Sequence, residues 1–281
     1  MTVSGFDQLL TGNATIMSEN FEELDFQQTE MGELSLRRKR VLSLGGVEVF
    51  EIKLGDKYLM SSLFTKAEIA LVDLALSELG PGSLDVVVGG LGLGYTARAA
   101  LENSAVKSLA VIEAMPAVID WHCRGLVPLG AQLTSDPRCR LVRGDFFALV
   151  NSGSLDPENP GKRFHAVLLD IDHSPRDRLH PRHGSFYGVD GLRRVAVHLH
   201  PGGVFAMWSD DPPEEEFLQA LDAAFGDCRA HIVTFHNPLL ERDSASTVYV
   251  ARSGRDRSSA TLRIGTSTEP CHSSSSLRDF R

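Results

Sequence analysis

From residue 84 onward one short pattern keeps recurring. An apolar run too short for a helix meets a glycine- or acid-bearing turn, and a stretch with helical spacing follows. The apolar runs fall at 84–88, 109–113, 140–143, 166–170 and 204–208, and the helical stretches at 95–103, 115–129, 187–199 and 212–225. The run Ala166-Val-Leu-Leu-Asp170 is continuously apolar, as a strand covered on both faces must be. Parallel strands need crossover connections, and helices used as crossovers cover both faces of the sheet. Residues 232–235 and 247–251 add a closing strand pair. The fold class implied is α/β, a doubly wound, mostly parallel seven-stranded sheet with an antiparallel strand at one edge.

The flanks read differently. Residues 34–62 alternate apolar and polar between Gly45-Gly46 and Gly55-Asp56, which indicates a small set of antiparallel strands. Thr65-Lys-Ala-Glu68 is a capping-box pattern, opening a helix over 65–79 that Gly80-Pro81-Gly82 closes. From Arg252 on there are eight Ser, three Thr and six Arg, including the run Ser273-Ser274-Ser275-Ser276. Too little apolar surface is present there to offset the entropy of ordering, so a disordered tail is expected. The organisation expected is an N-terminal segment at 1–63, a nucleoside-binding catalytic domain at 64–251, and the Ser/Arg-rich tail at 252–281.

Charge narrows the partners. Lys and Arg number 28 against 37 Asp and Glu, a net charge of −9, and the tail is itself positive. Binding a nucleic acid duplex needs clustered cations, so no nucleic-acid partner is expected, and an acidic body suits a cationic substrate. No apolar run approaches the roughly 18 residues of a membrane span, and no basic stretch precedes an apolar one at the N-terminus. A cytoplasmic enzyme without a membrane partner is the expectation. Cys123, Cys139, Cys228 and Cys271 form no paired motif and read as free thiols. His180-Pro-Arg-His183 and His198-Leu-His200 lack metal-ligand spacing, so these are expected as loop histidines and no metal site is assigned.

In an open α/β sheet the ligand sits beyond the C-terminal strand ends. After the first strand come Gly89, Gly90, Gly92 and Gly94, then a helix. Glycines let the backbone approach a ligand, and the helix start offers free N–H groups. About twenty residues on, Glu113 ends the second strand, placed to accept from two ribose hydroxyls. Asp145 follows the third strand, where it can accept from the exocyclic amine of an adenine. Asp170 and Asp172 follow the fourth, opposite the glycine loop. Acids at successive strand ends point to a nucleoside-containing ligand. A nicotinamide dehydrogenase is the competing class, since Gly92-Leu-Gly94-Tyr-Thr-Ala97 fits its fingerprint, but it needs neither Asp145 nor Asp170.

Val86-Val-Val-Gly-Gly-Leu-Gly-Leu-Gly94, Val111-Ile-Glu-Ala-Met-Pro-Ala-Val-Ile119, Asp136-Pro-Arg-Cys-Arg-Leu-Val-Arg-Gly-Asp145 and the segment 166–175 make a more specific match. They resemble the class I S-adenosylmethionine-dependent methyltransferase fold, which is Rossmann-like, and within it the spermidine synthase (polyamine aminopropyltransferase) family. Residues 40–79 resemble that family's N-terminal strands and following helix. The resemblance implies aminopropyl transfer from decarboxylated S-adenosylmethionine to a small-molecule amine acceptor of the polyamine class. S-adenosylmethionine as methyl donor, and a non-catalytic nucleoside-binding relative, are the alternatives. It further implies Glu113 on the ribose, Asp145 on the adenine and Asp170 helping to deprotonate the attacking amine. Asp172 would strengthen the field drawing in a cation. A homodimer is compatible with it. Three departures stand out. Gly92 occupies a position where the family usually carries an acid, Tyr58-Leu-Met-Ser-Ser-Leu-Phe-Thr65 replaces its usual glutamine and Tyr–Gln or Tyr–His pair, and its acidic gate motif is rearranged to Asp170-Ile-Asp-His-Ser-Pro175.

Overall fold

The structure, a computed structural model, describes residues 20–254 and 263–265. It divides into two units, Met1–Leu63 and Phe64–Arg281. In the first, β1 (Phe21–Thr29), β2 (Gly32–Val41), β3 (Val47–Leu54) and β4 (Lys57–Ser61) form an antiparallel meander in chain order. Leu34, Leu36, Val49 and Ile52 are its buried apolar side chains among the described residues. The basic run Arg37-Arg38-Lys39-Arg40 is largely answered by acids on neighbouring strands. Arg37 meets Glu23 at 3.6 Å, Lys39 meets Glu51 at 2.6 Å, and Arg38 meets both Glu22 and Glu48. β1 starts the sheet earlier than the alternation from residue 34 had indicated.

The second unit carries the βα repeat. In chain order it contains α1 (Lys66–Ser77), β5 (Leu84–Gly89), α2 (Tyr95–Glu102), β6 (Val106–Glu113), α3 (Pro116–Cys123), α4 (Gly130–Ser135), β7 (Cys139–Arg143) and α5 (Phe146–Ser152). Then follow β8 (Phe164–Leu169), α6 (Val189–Ala196), β9 (Leu199–Ser209), α7 (Glu215–Phe225), β10 (Gly226–Asn237), β11 (Arg242–Ser253) and β12 (Arg263–Gly265). The sheet order is β12-β10-β11-β9-β8-β5-β6-β7. β7, β6, β5, β8 and β9 run parallel, and β11 lies antiparallel between β9 and β10. These are the seven strands read from the sequence. β12, three residues within the stretch read as a disordered tail, adds an eighth beside β10. The rest of that stretch after Gly254 lies outside the described residues.

Strand alternation assigns the two faces. Val167 and Leu169 of β8 and Phe205 and Met207 of β9 join one core with side chains of α5, α6 and α7. Leu168 and Ala206 therefore face the other way, toward the side where α1 packs on β8 and β9. Two local expectations change. The helix expected over 187–199 stops at Ala196, because Leu199 already pairs with Phe164 as β9 begins. Thr65 makes no side-chain cap on α1, so the capping box does not form. Among the described residues, no helix is long and apolar enough to cross a membrane.

Candidate active site

β5 lies at the centre of the parallel strands, with β6 on one side and β8 on the other, so the chain winds outward both ways from its C-terminal end. There the glycine loop and the β8 terminus touch. The Asp170 N–H donates to the Gly89 carbonyl at 2.8 Å. Gly90 has φ +98°, and a Cβ there would stand 2.1 Å from the Asp170 carbonyl oxygen. Only glycine satisfies both the backbone angle and the contact. Gly89 is similarly tight against the Phe146 ring, at 2.7 Å from a notional Cβ. Gly94 is the residue preceding α2.

The Asp170 carboxylate accepts a hydrogen bond from the Thr96 hydroxyl of α2 at 2.6 Å. Burial pushes its pKa up, while the Thr96 bond pulls it down. Glu68, in the first turn of α1, interacts with it electrostatically. Burial first, and then the charge of Asp170, push the Glu68 carboxyl up to about 8. Burial thus disfavours the anion at both carboxyls, and at Glu68 the negative charge of Asp170 adds to it. Continuing the β8–β9 register by one residue sets Trp208 level with Asp170 on the same face. Its indole Nε1 is buried and has no hydrogen-bond partner among the described residues. An acidic pair next to an indole suits an organic cation.

Glu113 is buried at 6% exposure. Its Oε2 accepts from the Leu91 N–H at 3.0 Å and its Oε1 from the Met115 N–H at 2.7 Å. Burial raises its pKa, and these backbone donors oppose the rise. The carboxylate thus shapes the glycine loop besides lying at the strand end expected for a ribose contact. Asp145 is exposed and is the N-cap of α5, its Oδ1 accepting from the Phe147 and Ala148 N–H groups at 2.9 and 3.2 Å. That is an ordinary helix-capping duty, and it leaves Oδ2 as the oxygen for any ligand.

Asp172 stands apart from Asp170. It is 3% exposed and accepts from the Leu179 N–H at 2.7 Å, from His183 Nδ1 at 2.9 Å and from the Tyr187 hydroxyl at 2.7 Å. His183 stacks on Phe147 with centroids 3.9 Å apart. Phe147 and Tyr187 belong to the core on the α5–α7 face, so Asp172 is a tether for the 173–187 loop on the side away from α1. His198 lies in the turn before β9, as read, and His183 in a short helical turn of the 173–187 segment; both are buried, and His198 Nε2 lies 3.4 Å from the Val150 carbonyl. Cys123, Cys139 and Cys228 are free thiols, and burial pushes Cys139 to about 11 and Cys228 to about 12. Cys271 lies outside the described residues.

A solved spermidine synthase bound to the transition-state analogue AdoDATO superposes with a TM-score of 0.64 at 16% identity, covering 84% of this chain and 75% of that one. The chain is spermidine synthase-like in fold. No protein-family profile matches it. Among curated proteins, the polyamine aminopropyltransferase of Mycobacterium tuberculosis is 27% identical over 139 residues, or 50% of this chain and 25% of that protein. The polyamine aminopropyltransferase of Prochlorococcus marinus is 34% identical over 152 residues, 53% of this chain and 48% of that protein. The matched stretch thus spans between a quarter and a half of the curated relatives' length. Within this spermidine synthase-like fold, Glu68 and Trp208 are the candidate residues near Asp170 that sequence reading missed. Glu68 had a competing local explanation as a capping partner. Trp208 could have been found by asking which residue lies level with Asp170 on the next strand.

Proposed function

We propose that this protein is a transferase that moves the aminopropyl group of decarboxylated S-adenosylmethionine to a small-molecule amine acceptor of the polyamine class. One observation carries the reading: the Asp170 backbone lies against the glycine loop, while its carboxylate accepts from Thr96 and interacts electrostatically with Glu68. The residues fit the donor. Glu113 offers carboxylate lone pairs for ribose hydroxyls, and Gly90 lets the glycine loop pass tightly against the end of β8. The donor would supply a sulfonium whose neighbouring carbon takes the amine nitrogen as its C–S bond breaks and the neutral thioether, methylthioadenosine, leaves. An amine is mostly protonated at pH 7 and cannot attack until that proton leaves. Asp170 holds the ammonium, orients it in line and takes the proton, and most of the gain comes from positioning. An acidic pair favours a donor arm ending in an ammonium over one ending in a carboxylate. The reaction so read is cytoplasmic.

Methyl transfer from S-adenosylmethionine is the second reading, favoured by Gly92, which offers no side chain to hold an aminopropyl ammonium. Labelled forms of both donors, assayed against a panel of amines, separate the two. Asp170→Asn keeps the shape but loses most of its basicity. Turnover should fall about 10²-fold or more, with nucleoside affinity nearly intact. Wild-type turnover by Asp170→Asn on an accepted amine would refute the mechanism.

A further inference from the structure

Beneath the glycine loop lies a histidine that the proposed reaction does not use. His122, in the last turn of α3, is fully buried at 0% exposure. Its Nε2 stands 2.9 Å from the Gly92 carbonyl, which can only accept, so the ring donates there. Burial lowers its pKa and keeps the ring neutral near pH 7. With the proton on Nε2, the lone pair sits on Nδ1, which is buried without a hydrogen-bond partner among the described residues. An unsatisfied buried nitrogen costs stability, and an apolar side chain of similar size would avoid that cost. Stability alone therefore does not account for a histidine here. The residue is tightly packed as well, at both ring and backbone. A Cβ on Gly94 would come 3.0 Å from His122 Cε1, and one on Gly130 would come 2.6 Å from the His122 carbonyl oxygen.

The same stretch of loop is held on its other side by Glu113, through the Leu91 N–H. A ribose diol would compete with that N–H for the carboxylate. The His122 bond to Gly92 faces no such competition. We propose that His122 is a positioning residue of the nucleoside site, its Nε2–H holding the Gly92 carbonyl so that the glycine loop keeps its shape when a ribose engages Glu113. This rests on Glu113 being the ribose acceptor.

The test titrates methylthioadenosine calorimetrically into the full-length wild type, His122→Leu and His122→Gln. Leucine removes the donor, whereas the glutamine amide can donate from a similar reach. His122→Leu should bind about tenfold more weakly, and His122→Gln within about threefold of wild type. Because leucine also removes the orphaned nitrogen, its melting temperature should be no lower than that of the glutamine variant, the reverse of the affinity order. Equal affinity of the leucine variant and wild type, or equal losses in both variants, overturns the proposal. Nitrogen-15 spectra of the wild type give a readout that needs no variant to fold. His122 should show the Nε2–H tautomer both free and saturated with methylthioadenosine, and an Nδ1–H tautomer in either state overturns the role. A wild type that binds no methylthioadenosine refutes the nucleoside reading and this role with it, whereas binding that is indifferent to both substitutions refutes His122 alone.

Discussion

Glu68→Gln tests the facing carboxyl pair through stability, independently of any substrate. In the folded protein, burial and then Asp170 push Glu68 from the ordinary 4.5 to about 8. Each unit is worth about 1.4 kcal/mol, so the full displacement would approach 5 kcal/mol. Glu68 is only partly buried, and solvent relaxation reduces this to roughly 1–2 kcal/mol. The folded state keeps its proton to higher pH than the unfolded chain does. Stability is therefore full near pH 4.5 and is lost progressively as pH rises to about 8. Glutamine cannot ionise, so the variant escapes this loss. Thermal unfolding of both proteins from pH 4.5 to 9 should show coincident transitions at the acid end. By pH 8.5 the variant should melt about 2–8 °C higher, taking roughly 2–4 °C per kcal/mol for a domain of this size. A constant offset across the range, or a wild type that is the more stable at pH 8.5, would show that the carboxylates do not oppose each other.

Glu113→Ala should weaken methylthioadenosine binding by tenfold or more, measured by calorimetry. It should also lower the melting temperature, because two loop N–H groups lose their acceptor; an unchanged melting temperature would contradict the loop-shaping role. Asp172→Asn cannot accept from Leu179, His183 and Tyr187 with the strength of a carboxylate, and roughly 2–4 kcal/mol of stability should be lost, read from the denaturant midpoint. If instead the midpoint holds and the amine's Michaelis constant rises, Asp172 acts on the substrate and the tether assignment fails.

Short-range rules were enough for the architecture. The continuous apolarity of 166–169 marks a central strand, and β8 is flanked by β5 and β9. Glycines followed by helical spacing mark the loop that meets Asp170, since the turn chemistry is local. The acid-rich first turn of α7 likewise falls within the helical stretch read over 212–225. Local rules fail where a local and a tertiary partner compete for one side chain. Glu68 fits a capping box in sequence, yet Thr65 caps nothing and Glu68 answers to Asp170. Likewise, His183 reads as a loop histidine until Asp172 and Phe147 enclose it. Neither partnership has a signature within a window of ten residues.

Asp170 and Asp172 show the limit most sharply. Two residues apart on a strand, they would share a face, and a shared electrostatic role would follow. But β8 ends at Leu169, and the two-residue period ends with it. Asp170 still takes the α1 side, fixed by its N–H bond to Gly89 and by Thr96. By Asp172 the chain has turned under α5 and α6, where His183 and Tyr187 consume the carboxylate. A carboxylate already engaged by three donors adds little free field to a cleft on the other face of the sheet. The second carboxyl that interacts with Asp170 therefore comes from a different element, α1, through Glu68, which burial and the charge of Asp170 keep largely protonated near pH 7. What governs the charge facing an incoming amine is thus the packing of a helix that precedes the first parallel strand, and no reading confined to the strand ends can reach it.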